Sequence, residues 1–215
     1  MSGATVKAIC TLLAIALACF GYRYFTRPIE HLPGVLVATE PAQSEISAQP
    51  ENTIVHGDFR LKPLARFSVE ARVLHRKNYR DRGAKLSPTD LAIGWGRMSD
   101  QDVLDRLTIT QSMRFYWYEY QQPPPIPQDE IVRHSTNVHV IPANQAIARA
   151  CKSLRAGELI RVEGQLVEAT GGEIGTWRSS LRRDDTGKGA CELLLVESIS
   201  KLDGHPARQA TLATR

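Results

Sequence analysis

The chain has 215 residues, 42% hydrophobic and 23% charged, the balance of an ordinary globular protein and not of a disordered or low-complexity chain. A net charge of +4 is modest, so the pI near 9.0 does not by itself select nucleic acid or any other anionic partner. Without its N-terminal run and the polar stretch that follows, about 150 residues remain, the size of one domain with a core of its own.

From Ala8 to Phe25 the only charged residue is Arg23, and Tyr22, Tyr24, Phe25 and Arg27 follow as an aromatic and cationic collar. The run predicts an uncleaved single-pass transmembrane helix within residues 1–27. A cleaved signal ending near Ala16-Leu17-Ala18 and a lipoprotein signal at Cys19 are the alternatives. Lys7 on one side nearly balances Arg23 and Arg27 on the other. The short N-terminal tail nevertheless predicts a protein of the bacterial inner membrane with a periplasmic C-terminal domain.

Residues 28–55 read as a flexible linker, because Glu40 to Glu51 is polar and has little hydrophobic periodicity. The soluble domain is expected over 56–203, with a disordered tail at 204–215. Phe67, Val69, Ala71 and Val73 alternate with Ser68, Glu70, Arg72 and Leu74 as a half-buried strand does. Ser87-Pro88-Thr89-Asp90 predicts a helix start, and Ser99-Asp100-Gln101-Asp102 predicts a second. Thr108 to Tyr120 predicts one β-branched and aromatic strand, followed by the extended run Pro123-Pro124-Pro125-Ile126-Pro127. Further on come a strand at Val138–Ile141 and a helix from Ala143 to Leu154. Strands at 159–169, 175–181 and 191–199 complete the domain. The fold expected is α+β: the transmembrane helix, then a mostly β domain with short helices, an OB-like barrel.

Cys151 and Cys191 are an even pair that could bridge in an exported domain, and two buried thiols that never meet are the alternative. Nine cations between Arg60 and Lys85 face only Glu70 and Asp81 there, a stretch suited to phosphates, with Tyr79 and Arg80 at its loop. His134 and His139 could share a metal or act as acid and base with Asp100 or Asp184, yet no third ligand stands at a recognised spacing. No metal and no cofactor is therefore assigned. Ser179 and Ser180 lack the strained elbow of a nucleophile. Trp95, Asn137 and His139, with Tyr116 and Tyr118 from an aromatic strand that has two faces to fill, are candidates for binding a ligand or partner.

The stretches Leu86–Asp100, Ser135–Ala143, Trp177–Leu181 and Gly187–Glu192 resemble a family of uncharacterised bacterial membrane-anchored proteins. The resemblance spans about Phe59 to Ile199; it implies an anchor-plus-domain layout and brings no activity with it. The function expected is a membrane-anchored, periplasm-facing, non-enzymatic domain that binds a protein partner of the cell envelope or an envelope ligand. One alternative is a hydrolase using His134 or His139. Another is a nucleic-acid-binding module using Arg60–Lys85, which would require a cytoplasmic domain.

Overall fold

A computed structural model describes residues 3–47, 52–182 and 191–202. Helix α1 (Gly3–Thr26) is followed by β1 (Ala42–Glu45), β2 (Ile54–His56), the long strand β3 (Phe59–Asn78) and β4 (Thr89–Gly94). Then come α2 (Gln101–Leu104), the hairpin β5 (Thr108–Ser112) and β6 (Phe115–Glu119), and α3 (Gln128–Arg133). The chain continues through β7 (Ser135–Pro142), α4 (Gln145–Ser153), β8 (Leu159–Gly171), β9 (Thr176–Arg178) and β10 (Glu192–Lys201).

The expectation of a membrane anchor is not met. Among the described residues no helix is long and apolar enough to cross a membrane. Thr5, Lys7 and Thr11 interrupt the N-terminal side of α1, where the Thr11 hydroxyl donates to the Lys7 carbonyl at 3.0 Å. The aromatic collar from Tyr22 to Phe25 lies outside the described side chains. The single-pass anchor, the inner-membrane location and the periplasmic orientation that depended on it therefore have no support here.

Five strands close on themselves. β3 pairs with β4, β4 with β7, β7 with β10, β10 with β8, and β8 again with β3 over its length. Only β7 and β10 run parallel in this circuit, and α4 connects β7 to β8. This is the strand order of the OB barrel, a five-stranded Greek-key closure. Its interior holds Phe67, Val69, Ala71, Val73, Leu91, Ile93, Val138, Val140, Leu194 and Val196, and α4 plugs one end with Ile147, Cys151 and Leu154. Asn144 starts α4 by accepting from the Ala146 and Ile147 amides.

Three local expectations fail for identifiable reasons. Ser87-Pro88-Thr89-Asp90 begins a strand and not a helix. Proline drives the residue before it toward extended backbone, and Leu91 and Ile93 alternate with Asp90 and Ala92 across the barrel wall. Thr108–Tyr120 is a hairpin and not one strand; it turns at Met113 and Arg114, both at positive φ (49° and 69°) without a glycine. The described parts of the expected 28–55 linker, residues 28–47 and 52–55, are not a free linker. Ile29 N–H donates to Ala156 O at 2.8 Å, Leu36 and Val37 amides donate to Ser99 Oγ, and β1 pairs with β3. Val37 is buried in the barrel core. The 204–215 tail lies outside the described residues.

Gly157 makes this docking possible: at φ +90° a Cβ there would sit 1.9 Å from Ile29 O. Gly157→Ala is expected to release residues 29–37 at a cost of about 1–3 kcal/mol. Hydrogen exchange should then rise in that segment while β8 and β10 keep their protection.

Candidate functional site

In an OB barrel the outer face of the second and third strands is where ligands are taken. Those strands are β4 and β7, whose outward residues are Asp90 and Ala92 on one and Asn137, His139 and Ile141 on the other. Here the chain covers this face with its own insertion, residues 95–134 between β4 and β7. Leu74 and Ala92 of the barrel pack against Met98, Val103, Ile126 and Ile131 of the insertion, with Tyr116, Tyr118 and Tyr120 alongside.

Beneath the hairpin lies a polar network. Asp90 has no exposed surface and His139 is 3% exposed. Arg114, from the hairpin turn, donates to Asp90 Oδ1 at 3.1 Å, to Ser87 O at 2.8 Å and to both oxygens of Asp81, at 3.1 and 2.5 Å. Its guanidinium carbon lies 3.9 Å from the centre of the Tyr79 ring and 5.6 Å from that of Trp177. Its backbone N–H donates to the Tyr79 hydroxyl, and its carbonyl accepts from Asn137 Nδ2 at 3.0 Å. Asn137 in turn accepts from Gln111, whose carbonyl oxygen pairs with His75 Nδ1. Asp90 Oδ2 stands 3.0 Å from His139 Nδ1 without hydrogen-bond geometry, so both atoms are buried with no such partner. Trp177 covers His139 at 4.7 Å between ring centres.

Electrostatics follow from this packing. The hydrogen bonds from Arg114 hold the Asp81 carboxyl below the usual carboxylate range. Burial raises the Tyr79 phenol and pushes Tyr116 up to about 12, its hydroxyl lying 2.6 Å from Ser135 Oγ.

The structure sorts the candidates read from sequence. Tyr79, Asn137 and His139 join one cluster, while Arg80 is exposed beside it. Tyr116 and Tyr118 face inward, leaving Trp117 and Met113 as the exposed apolar residues of the hairpin, at 49% and 77%. Trp95 is core, 1% exposed. Asp100 caps α2 and accepts from Gly34 N, which removes it from the acid–base candidates. Asp184 lies outside the described residues. His134 sits beside Trp95 and Gly96, within 4 Å of Glu130 and Glu40. His139 instead faces Asp90 and Trp177, so the two histidines lie in different surroundings.

Ser179 spends its hydroxyl on Ser180 O. Cys151 and Cys191 are not bridged: Cys151 is in the barrel interior, while Cys191 lies near Asn137 and Arg114 O on the opposite face of the wall. Sequence reasoning missed Asp90, Arg114, Asp81 and Trp177 as members of one site. The signal available was a charged residue inside an apolar run, Asp90 before Leu91-Ala92-Ile93, which resembled a helix cap.

Comparison with known protein families, with curated proteins and with solved structures returns no match. The geometry alone carries the functional reading.

Asp90→Asn removes the charge that both Arg114 and His139 face, and should destabilise the fold by about 3–5 kcal/mol in urea titrations. Alkaline titration probes the core separately. Burial raises the Cys151 thiol to about 12 from 9.0 and the Tyr116 phenol to about 12 from 10.0. Both groups ionise more readily when unfolded, so their contribution is intact below pH 9 and is lost as pH rises toward 12. The urea midpoint should fall over that range, and less steeply in Tyr116→Phe.

Proposed function

We propose that this protein is a non-catalytic OB-type binding domain that recognises a protein partner through the tip and outer face of the β5–β6 hairpin. The observation that carries the reading is the exposure of Met113 and Trp117 on an element whose other side is fixed to the barrel. Phe115 stands beside Trp117 on the same face of β6, with ring centres 6.1 Å apart. Aromatic and methionine side chains are enriched at the centres of protein interfaces.

The alternatives fit less well. A hydrolase would need an accessible base, and His139 is packed under Trp177. A nucleic-acid site would need its cations gathered on one face. The basic stretch instead runs along β3 and through the segment after it. Arg72 is buried against Ser99 O, Arg66 pairs with Glu197, Arg76 donates to Lys152 O and Arg82 pairs with Glu173.

A photo-cross-linking residue at position 117, compared with one at exposed position 62 on the barrel, tests the proposal in cells that make the protein. A discrete adduct is expected from 117 only, and Met113→Asp should abolish it without changing circular dichroism. Equal labelling from both positions, or none from 117, would overturn the reading.

A further inference from the structure

We propose that Tyr79, Asp81, Asp90 and Trp177 form a guanidinium-binding cage, filled in cis by Arg114 and in trans by an arginine side chain of a protein partner. The inference rests on the binding-domain reading above and supplies its ligand chemistry.

The cage has the parts that guanidinium recognition requires. Two carboxylates stand where one planar fork reaches both: Arg114 Nε and Nη2 donate to Asp81, and Nη1 donates to Asp90 and to Ser87 O. One aromatic face stacks on the cation at 3.9 Å and a second lies at 5.6 Å. An ammonium is a compact point charge that can sit over a ring but offers neither the planar fork for these acceptors nor flat stacking. The chemistry therefore selects arginine over lysine.

The walls and the occupant belong to different elements. Tyr79 and Asp81 come from the segment between β3 and β4, Asp90 from β4 and Trp177 from β9, all on the barrel. Arg114 alone comes from the hairpin, a two-stranded sheet of its own. Its turn holds two non-glycine residues at positive φ, a conformation that costs on the order of 1–3 kcal/mol per residue. Withdrawing the turn would relieve that strain while leaving the barrel's pairing unchanged.

A further observation concerns the inner oxygen of Asp90. Asp90 Oδ2 is fully buried and receives no hydrogen bond from Arg114; the atom it faces is His139 Nδ1, 3.0 Å away without hydrogen-bond geometry. Buried carboxylate oxygens are ordinarily hydrogen-bonded. Arg114 reaches only Oδ1, approaching from its turn. A guanidinium entering on an unconstrained side chain can seat deeper and donate to Oδ2 as well.

The test uses the full chain and two small probes, methylguanidinium and N-acetylargininamide. Arg114→Ala should bind methylguanidinium saturably, with a rise in Tm and a shift of the Trp177 indole N–H resonance. Methylammonium at equal ionic strength should bind at least tenfold more weakly. The unmodified protein should bind N-acetylargininamide at the same resonances, at least tenfold more weakly than Arg114→Ala because Arg114 competes. Amides of residues 108–119 should then exchange faster.

Should Arg114→Ala fail to fold, Asp81→Asn in the otherwise intact chain replaces it and should weaken N-acetylargininamide binding at least tenfold. Absence of any guanidinium-specific effect on Arg114→Ala would overturn the cage. Binding to Arg114→Ala with the unmodified protein unmoved would make Arg114 a permanent tie and overturn exchange. Neither result touches the cross-linking outcome at position 117, so the two readings fail separately.

Discussion

A carboxylate with no exposed surface has to be matched where it stands, and Asp90 is matched by a guanidinium that arrives from 24 residues further along the chain. That requirement ties the insertion to the barrel. Arg114 reaches Asp90 only if the hairpin turn lies over the β3–β4 segment, and this placement sets Tyr116, Tyr118 and Tyr120 against Leu74 and Ala92. Apolar contacts supply most of the area, but they would tolerate sliding. The charged contact fixes the register, because Arg114 donates at once to Asp81, Asp90 and Ser87 O.

The same contact accounts for a turn without glycine. Two-residue hairpin turns with positive φ at both central positions favour Asn-Gly or Gly-Gly. Met113 and Arg114 occupy them here at φ 49° and 69°. Replacing Arg114 by glycine would ease the backbone and leave Asp81 and Asp90 without their shared cation. The choice of arginine places the side chain's interactions above the backbone's comfort, a trade usual at sites where strain is held by surrounding contacts. Met113 takes the other strained position and points its apolar side chain outward, 77% exposed.

Much of the barrel was legible from local pattern. The alternation of Phe67, Val69, Ala71 and Val73, the strand around Val138–Ile141 and the helix carrying Ile147, Cys151 and Leu154 all follow from hydrophobic period. The pattern could not give which strands pair, since the closure of β3 on β8 joins residues some 100 positions apart, Phe67 with Gly164 for example. It also failed where one residue type serves two purposes. Asp90 occupies the place of a capping acid after Ser-Pro-Thr, yet functions as a buried anion. Ser99 and Gln101 resemble helix-start residues and also bind the incoming segment at Val37 and His31. The polar stretch after Pro28 reads as linker because, apart from Val37 in the core, its attachments are largely backbone hydrogen bonds and glycine clearance at Gly157, which hydropathy does not register. The apolar run of α1 has no counterpart in a membrane-crossing helix among the described residues.

Occupation of the cage in cis sets what a partner must bring. A side chain tethered by a short segment acts at an effective concentration on the order of millimolar, so a lone arginine in trans is at a disadvantage. The apparent affinity for it falls by the fraction of time the cage is open. A partner overcomes this only with additional contacts made at the same moment. Phe115, Trp117 and Met113 are placed to provide them, because they ride on the element that must move for the cage to open. An arginine flanked by apolar side chains would gain from both surfaces. A free cation, which meets no hairpin face, would gain from only one.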